Sequence, residues 1–595
     1  MQRDLDYFRL LSEAKSLRIE NNTKRIRLAL LADCSTKHLI VLLQVLFRRY
    51  GIYADIYEGM FNAIELEVRN PSSGLYAFEP EIVVVLQSVQ SLRDRFYLRE
   101  DSHRFLDQGL SQLTGIWESI TSNSNALIIQ STFVDPVERF FGNYDRKVDS
   151  SLSSLVSSIN AFVIGESQRR RNILLLDLES LASWVGREHW FDERLWTLAK
   201  SLCSLEVLPQ AAQNIVDIVL TTKGRTMKCI VLDLDNTLWG GIVGDDGPHG
   251  IQIGAHGDGE PFFRFQSFLK ELKKRGILLA VCSKNEESNA RKPFQENSEM
   301  VLTLDDIVVF VANWKNKPEN IRIIQQELRI GFDSIVFIDD NPFERGAVRE
   351  LLPDVIVPEL PEDPGEWPKT LCELNLFETT SFSSEDTKRA DLYQQEVRRR
   401  ALVTTCPDFD EYLRSLDMTI EVARFASRYL GRIAQLLQRS NQFNLTTRRL
   451  NETECDAIMC DTGHIPLYAV LKDRFGDHGL ISIVILRPDH EGQVLSITDW
   501  LMSCRVLGRG VEDYLMNYVV EQARGINASR IEGIYIPSAK NNMVKDFYKQ
   551  NGFVHAGDAG GDATCWTLDI TDYVDRPVFI RPAADATHAF TIAKG

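Results

Sequence analysis

The stretch Lys228–Gly247, KCIVLDLDNTLWGGIVGDDG, decides how the middle of this chain folds. Four apolar residues, Cys229–Leu232, predict a buried β-strand. Asp233, Asp235 and Thr237 follow where that strand ends. Ligands bind at the carboxyl ends of the strands in an open parallel sheet. We therefore expect two carboxylates and a hydroxyl to project from a strand tip into a functional site.

Polar residues stand at three later positions of the same kind, two of them strand ends and one a helix start. They are Ser283 after a predicted strand over Ile277–Cys282, Lys317 or Lys315 before a helix, and Asp339 with Asp340 after a predicted strand over Ser334–Ile338. Four such positions in order predict one site at one edge of a sheet.

Asp-x-Asp-x-Thr at a strand end resembles motif I of the haloacid dehalogenase (HAD) superfamily of phosphohydrolases. The longer string DLDNTLWGGIVGDDG is similar to the FkbH-like family, which hydrolyses a phosphate and loads a glyceryl unit onto an acyl carrier protein. The resemblance implies a HAD-like Rossmannoid core over residues 225–370. Only a short segment separates motif I from the next strand, which predicts a hairpin flap and no large cap domain.

The resemblance also implies the roles of the site residues. Asp233 would attack phosphorus and form an aspartyl-phosphate, while Asp235 would protonate the leaving alcohol and then activate water. Hard oxygen ligands suit Mg²⁺. The predicted residues are Thr237, Ser283 and Lys317 for the substrate phosphate, and Asp233, Asp235 (through its backbone carbonyl), Asp339 and Asp340 for Mg²⁺.

Cys282 abuts Ser283, and FkbH-like proteins are proposed to pass the acyl group through a cysteine. A thiolate near Mg²⁺ and Lys317 would have a lowered pKa and could attack an acyl phosphate. The alternative is a buried strand cysteine that points away from the site, because neighbouring strand residues face opposite sides. Both interpretations stay open, and the catalytic one follows only from the resemblance.

Strands alternate with longer helical segments over residues 20–220, which predicts a doubly wound parallel sheet. Asp33-Cys34-Ser35-Thr36 at the first strand end resembles, weakly, the SGNH-hydrolase-like N-terminal part of FkbH-like proteins. An esterase with Ser35 as nucleophile would need a late Asp-x-x-His. Here His189 precedes Asp192, so we expect a domain without hydrolase chemistry.

Residues 417–575 predict an α+β domain. Arg505-x-x-Gly508-x-Gly510 at a strand-to-helix junction resembles the pyrophosphate loop of GNAT acyltransferases, whose backbone N–H groups suit a diphosphate. Asn541 and Tyr548 resemble the late GNAT element that contacts the pantetheine arm. The resemblance implies that Arg505, Gly508, Gly510, Asn541 and Tyr548 bind acyl-CoA or the phosphopantetheine arm of a carrier protein.

Composition narrows the function classes. The formal net charge is −17, which argues against non-specific nucleic-acid binding. No apolar run approaches the roughly 20 residues of a membrane span, and the N-terminal residues predict an amphipathic helix rather than a signal peptide. The 10 cysteines are scattered, as in a reduced, cytoplasmic protein.

An acidic acyl carrier protein would need a local basic patch on this negatively charged chain in order to dock. The candidate residues for that patch are Arg432, Arg439, Arg448, Arg449, Arg505 and Arg509.

Taken together, the resemblance implies a Mg²⁺-dependent enzyme of polyketide-type biosynthesis. It would take 1,3-bisphosphoglycerate, remove phosphate and load glyceryl onto an acyl carrier protein. Two alternatives remain: a HAD phosphatase whose flanking domains only recognise substrate, and a catalytically silent scaffold that docks a carrier protein.

Overall fold

A computed structural model describes residues 5–16, 24–99, 101–382, 384–387, 392–393, 408–440, 442–489, 491–538 and 540–583. The chain forms two compact units, Arg3–Thr221 and Thr222–Gly595. A charged helix that the sequence predicts over Ser384–Leu402 lies largely outside the described residues.

The first unit is built on a parallel five-stranded sheet in the order β2-β1-β3-β4-β5. Its strands are β1 Lys24–Ala32, β2 Ile52–Glu58, β3 Ile82–Leu86, β4 Leu127–Ser131 and β5 Ile173–Leu176. The main helices are Lys37–Arg49, Val89–Tyr97, Ser102–Asn123, Leu152–Arg169 and Leu208–Thr222. Apolar clusters cover both faces of the sheet, which confirms the predicted doubly wound sheet. The SGNH-like resemblance stays a prediction.

The second unit begins with a parallel four-stranded sheet in the order β8-β7-β6-β9. Its strands are β6 Cys229–Leu232, β7 Leu278–Ser283, β8 Ile307–Ala312 and β9 Ile335–Ile338, and its main helices are Glu260–Lys274, Lys317–Leu328 and Pro342–Leu351. Every residue of β6, β7 and β9 is buried. Because the strands are parallel, the residues after β6, β7, β8 and β9 meet at one edge.

The segment after β6 differs from the predicted hairpin flap. Gly240 and Gln252 exchange two backbone hydrogen bonds of 2.9 and 2.8 Å, and a short helix, Val243–Gly250, lies between them. The helix is kinked at Gly247, whose φ of 71° favours glycine. The flap is therefore a helical loop closed by one antiparallel bridge, and it is small, as expected.

A mixed sheet completes the second unit in the order β16-β17-β15-β14-β13-β12-β10-β18, with β11 paired to β14. Its strands are β10 Met418–Arg424, β11 Phe443–Asn444, β12 Ile465–Asp473, β13 Gly476–Pro488, β14 Val494–Met502, β15 Arg530–Tyr535, β16 Val554–Asp558, β17 Thr564–Asp569 and β18 Ile580–Pro582. The main helices are Leu430–Arg439, Glu452–Cys460 and Val511–Gly525. This agrees with the predicted α+β domain.

A short segment around β11 fills the gap where β14 and β15 diverge. β14 and β15 pair in parallel only from Val494 to Ile497 on the β14 side. Beyond that point β11 pairs with the end of β14, Leu445 N–H donates to the Trp500 carbonyl at 3.0 Å, and Ile536 N–H donates to the Leu445 carbonyl at 2.8 Å. The segment around β11 thus bridges the two diverging strands.

Ser35 and His189, the two residues that an esterase hypothesis would pair, have different surroundings in the structure. Its backbone N–H donates to the Lys200 carbonyl at 2.7 Å, whereas His189 is exposed in the short helix Arg187–Trp190. In the described part of the chain no hydrogen bond joins the two residues. That this domain lacks hydrolase chemistry stays a prediction.

Asp33 is the buried charge at this strand end. One carboxylate oxygen accepts a hydrogen bond from Ser88 N–H at 2.8 Å, and the other has no hydrogen-bond partner. Burial raises the pKa of Asp33 to about 6. The folded state then holds a proton that the unfolded state has released, so stability falls as the pH rises from about 4 to 6 and stays lower above that window.

Asp33→Asn should therefore stabilise the protein above pH 6, by roughly 2 kcal/mol, because an amide cannot ionise. We expect its thermal midpoint to exceed that of the wild type at pH 8 and the gap to shrink at pH 5. The control is Asp149→Asn, which alters an exposed carboxylate. A gap that does not change with pH would contradict the assignment.

Candidate active site

Three carboxylates converge at the carboxyl edge of the β6–β9 sheet. Asp233 follows β6, and its backbone N–H donates to the Ile338 carbonyl at 3.0 Å, which fixes it beside β9. Asp339 and Asp340 follow β9 directly. One oxygen of each of these side chains lies within 4.8 Å of the others. The structure therefore brings together Asp233, Asp339 and Asp340, as the sequence predicted.

Lys317 is buried among these carboxylates. Its Nζ lies 2.6 Å from Asp233 Oδ1 and 3.2 Å from Asp339 Oδ2, and it donates to the Cys282 carbonyl at 2.7 Å. Burial alone would lower the pKa of Lys317, but the charges of Asp233 and Asp339 outweigh burial and raise it. Lys315 is exposed. Lys317, and not Lys315, is the lysine of the site.

The negative charge of the cluster exceeds what one lysine balances. Burial, and then repulsion from Asp233, raises the pKa of Asp339 to about 7 although Lys317 opposes the shift. Burial and Asp233 also raise the pKa of Asp340. Three carboxylates and one ammonium leave an excess of hard oxygen ligands around a single point, the donor set that Mg²⁺ prefers. Asp233, Asp339 and Asp340 thus fit a divalent cation.

Asp235 stands apart from this cluster and is held by three donors. Its Oδ1 accepts from Trp239 Nε1 at 2.9 Å and from Val243 N–H at 3.0 Å, and its Oδ2 accepts from Asn285 Nδ2 at 3.0 Å. Burial raises the pKa of Asp235. A fixed carboxyl group with a raised pKa suits proton transfer. Its side chain does not belong to the three-carboxylate cluster, which agrees with the predicted contact through the backbone carbonyl only.

Thr237 and Ser283, two of the predicted phosphate-binding residues, have different positions in the structure. Thr237 is fully buried, its Oγ1 donates to Asp340 Oδ1 at 3.2 Å, and it accepts from Asp340 N–H at 3.2 Å. Thr237 therefore positions Asp340, which corrects the prediction that it binds substrate phosphate. Ser283 ends β7 beside β6 at the same edge, and its phosphate-binding role stays a prediction.

Cys282 does not reach the site. Its side chain is fully buried in the apolar cluster that contains Ile321 and Ile324, and its Sγ lies 3.8 Å from the Lys317 carbonyl. Burial raises the pKa of Cys282 to about 12, although Lys317 opposes the shift. The structure contradicts the predicted acyl relay, because a buried protonated thiol is neither accessible nor nucleophilic.

Two residues that sequence reasoning missed support the site. Asn285 binds Asp235, as described above. Arg345 is buried, and its Nη1 donates to the carbonyls of Asp339 and Asp340 at 2.8 and 2.7 Å. It lies one helical turn after Asn341, where a side chain can fold back over the helix start. This position, one turn into the helix that follows Asp340, is the sequence feature that could have pointed to Arg345.

The predicted pantetheine-binding residues are not gathered into one open groove. Gly508 N–H donates to Glu512 Oε1 at 2.9 Å, so the chain's own carboxylate occupies a donor of the loop. Asn541 is buried and donates to the Asn444 carbonyl at 2.8 Å, which holds β11 in place. Tyr548 is buried in the core. The structure contradicts direct contact of Asn541 and Tyr548 with a pantetheine arm.

The other two loop residues keep their predicted positions at the start of the helix Val511–Gly525. Gly510 precedes that helix with a φ of 79°, a conformation that favours glycine. Arg505 lies on the surface of a cavity. The structure leaves ligand binding by Arg505, Gly508 and Gly510 as a prediction.

Comparison with known proteins identifies the family. The model of the FkbH N-terminal domain matches residues 27–220. The N-terminal part of protein BF1531 from Bacteroides fragilis, solved as containing a phosphatase domain complexed with Mg, is 38% identical, with a TM-score of 0.60; the match covers 63% of this chain and 100% of that one. The chain therefore belongs to the FkbH-like family.

Other comparisons add less. The ribosomal-protein-S18-alanine N-acetyltransferase from Escherichia coli is 11% identical, with a TM-score of 0.21, over 26% of this chain and 94% of that one. The search of curated proteins finds no match. Within the described residues, no helix is long and apolar enough to cross a bilayer.

Lys317→Ala should lower phosphate release by about 100-fold or more, because an uncompensated cluster of carboxylates would repel a phosphate ester. Lys315→Ala, the matched control, should stay within about threefold of the wild type. Steady-state phosphate release with a small phosphate ester measures both. Equal losses in the two variants would contradict the assignment of Lys317.

Cys282→Ala should keep phosphate release within about threefold of the wild type, since the thiol takes no part in the chemistry. In the wild-type protein, Cys282 should stay unlabelled by iodoacetamide at pH 8 while the exposed Cys372 and Cys460 are alkylated. Peptide mass spectrometry gives the labelled positions. Rapid labelling of Cys282 in the folded protein would contradict its burial.

Proposed function

We propose that this protein is a Mg²⁺-dependent phosphatase and glyceryl transferase that acts on 1,3-bisphosphoglycerate and an acyl carrier protein. The observation that carries the proposal is the convergence of Asp233, Asp339 and Asp340 around Lys317, with Asp235 held beside them. Family membership supports the phosphatase and glyceryl-transfer chemistry, and the Mg bound to the Bacteroides fragilis phosphatase domain supports the choice of cation.

The phosphatase half follows from the two carboxylates after β6. Asp233 attacks the phosphorus of the 3-phosphate, the P–O bond to the sugar-acid oxygen breaks, and Asp235 gives that oxygen a proton. Asp235 then takes a proton from water, which attacks the aspartyl-phosphate and releases inorganic phosphate. Mg²⁺, when bound, would offset the repulsion between the carboxylates and the phosphate oxygens. Lys317, whose Nζ lies 2.6 Å from Asp233 Oδ1, would stabilise the same charge.

Because Cys282 is buried, we propose that the transfer half uses a thiol from outside the chain. The carrier's phosphopantetheine thiolate attacks the carbonyl carbon of the acyl phosphate, the bond from that carbon to the phosphate oxygen breaks, and phosphate leaves. A thioester forms without an enzyme-bound acyl group. Lys317 and the cation site would hold the phosphates during this step.

The surroundings of the site suit a large second substrate. The flap between Gly240 and Gln252 is small. Trp314 and Phe343 follow β8 and β9 at the same edge, and they are 75% and 77% exposed. Exposed aromatic residues next to a reactive centre are typical of protein interfaces. We propose that they contact the carrier protein.

A second candidate is a phosphatase without transferase activity. The observation that favours it is the filled gap between β14 and β15, together with the Glu512 carboxylate bound to the Gly508 N–H. Under this candidate the C-terminal sheet serves substrate recognition only.

Intact-mass measurement separates the two candidates. Holo-carrier protein is incubated with the enzyme, Mg²⁺ and 1,3-bisphosphoglycerate, and released phosphate is measured in parallel. A glyceryl adduct on the carrier supports the transferase, whereas phosphate release without an adduct supports the second candidate. Asp233→Asn should release no phosphate from the 3-position.

Trp314→Ala should reduce carrier loading by about tenfold, as expected when an interface anchor worth about 1.4 kcal/mol is removed. Its hydrolysis of a small phosphate ester should stay unchanged. Trp184→Ala, which removes an exposed tryptophan of the first unit, is the matched control. Unchanged loading by Trp314→Ala would contradict the proposed contact.

A further inference from the structure

A cavity of about 530 Å³ lies at the carboxyl edge of the sheet in the first unit, and its size is typical of small-molecule sites. Asp33, which follows β1, and Gln87, which follows β3, both line it. In the order β2-β1-β3, the chain passes from β1 to β2 on one side and then returns to β3 on the other. Ligands of open parallel sheets bind in the crevice at such a reversal. The fold therefore places this cavity where a ligand site is expected.

Hydrogen bonds hold Asp33 against the backbone around Gln87. β1 and β3 pair in parallel up to Ala32 and Leu86, the residues directly before Asp33 and Gln87. Asp33 N–H donates to the Leu86 carbonyl at 3.2 Å, and Ser88 N–H donates to Asp33 Oδ1 at 2.8 Å. The other carboxylate oxygen, Oδ2, has no hydrogen-bond partner among the described residues. A carboxylate with unused acceptor capacity and a carboxamide thus lie side by side in one wall of the cavity.

A buried network fixes which end of the Gln87 amide faces the cavity. The indole N–H of Trp117 can only donate, and it donates to Gln130 Oε1 at 3.0 Å. Gln130 Nε2 is therefore a donor, and Gln87 Oε1 accepts from it at 3.3 Å. Trp117 and Gln130 are fully buried, so water is excluded from this network. Because the oxygen of the Gln87 amide is turned to Gln130, the NH₂ group of the amide is left as the donor for the cavity.

The ionic side chains in the described lining balance one another. They are two carboxylates and two guanidinium groups, contributed by Asp33, Glu65, Arg69 and Arg95. Arg69 Nη2 forms an ion pair with Glu65 Oε2 at 2.8 Å, and the charge of Arg95 acts on Asp33. A cavity without excess charge favours a neutral ligand, because an ion would lose its hydration without gaining an opposite charge.

The rest of the described lining mixes polar and apolar side chains. The polar ones are Asn62, Asn70 and Gln112, and the apolar ones are Ala63, Ile64, Leu66 and Ile116. A hydroxyl group both donates and accepts hydrogen bonds. A single ligand hydroxyl can therefore accept from the Gln87 amide and donate to the Asp33 carboxylate. The apolar residues suit the C–H groups that lie between the hydroxyls of such a ligand.

We propose that this cavity binds a neutral polyhydroxylated small molecule, a polyol or a sugar. One hydroxyl of the ligand bridges Gln87 and Asp33 at the end of β1 and β3, and further hydroxyls bind the carboxamide and guanidinium groups of the wall. The site lies within the first unit and shares no residue with the cluster of Asp233, Asp339 and Asp340. It stands independently of the proposed reaction.

The test is a titration of the full-length protein with glycerol, myo-inositol and D-glucose, followed by saturation-transfer difference NMR. At least one of these neutral polyols should bind the wild type. Gln87→Glu, which replaces the amide donor by a second carboxylate beside Asp33, should weaken that binding by about tenfold or more. Gln108→Glu makes the same change at an exposed position outside the described lining and should match the wild type. Asp233→Asn should also match it, because the catalytic carboxylates take no part.

Asp33→Asn separates loss of the site from loss of structure. We expect this variant to be more stable than the wild type above pH 6, and at pH 8 it should still bind the polyol about threefold or more weakly, because an amide is a poorer acceptor than a carboxylate. Weaker binding together with a higher thermal midpoint cannot come from unfolding. Absence of binding by the wild type to all three polyols would overturn the proposal. So would equal binding by the wild type, Gln87→Glu and Asp33→Asn, or binding that Asp233→Asn abolishes.

The charge of the ligand is a separate arm of the same titration. D-glucuronate and D-glucosamine carry a negative and a positive charge on the frame of D-glucose. Measured on Asp233→Asn in EDTA, so that the catalytic site takes no part, both should bind more weakly than D-glucose. Tighter binding of either charged sugar that Gln87→Glu changes would contradict the neutral ligand and overturn the proposal.

Discussion

The repulsion among Asp233, Asp339 and Asp340 is the constraint on which the catalytic half of this protein depends. Buried carboxylates are costly unless a cation balances them. Lys317 supplies one positive charge at 2.6 and 3.2 Å from two of them. Despite this compensation, burial and then repulsion from Asp233 raise the pKa of Asp339 to about 7. A divalent cation would complete the compensation, and the same cation would draw a phosphate ester into the site.

Packing and hydrogen bonds from several sides hold these mutually repelling carboxylates in place. Four parallel strands bring their carboxyl ends to one edge, and apolar residues seal both faces beneath it. Thr237 and Arg345 hold the segment Asp339–Asp340, while Trp239, Val243 and Asn285 hold Asp235. Two aspartates only two residues apart thereby acquire different environments, one in the charged cluster and one set for proton transfer.

The sequence predicted the features that depend on local patterns. Apolar runs located β6, β7 and β9 but not β8, and the polar residues after those three strands located Asp233, Ser283 and Asp339. The sequence could not predict which of two neighbouring side chains points towards the site. Lys315 and Lys317 flank one helix start, and only the packed structure shows which of them is buried. Cys282 and Ser283 are neighbours, and the thiol turns to the apolar face.

Long-range pairing explains the remaining errors. β11 is only two residues long and carries no alternating pattern, so its insertion between β14 and β15 could not be read from the sequence. That insertion recruits Asn541, which was predicted to bind ligand, as an internal brace. The cavity lined by Lys228 and Arg505 likewise joins residues far apart in the chain. The sequence predicts strands on each side of this cavity, but it does not predict that the two sheets lie side by side.

Binding of Mn²⁺ measured by electron paramagnetic resonance tests the cation site most directly, because it requires no substrate. We expect about one tight Mn²⁺ per chain, displaced by Mg²⁺, in the wild type and in Asp245→Asn, which alters an exposed flap carboxylate. Asp339→Asn should weaken this binding by 10-fold or more. Unchanged binding by Asp339→Asn, or no tight binding by the wild type, would contradict the assignment of this site.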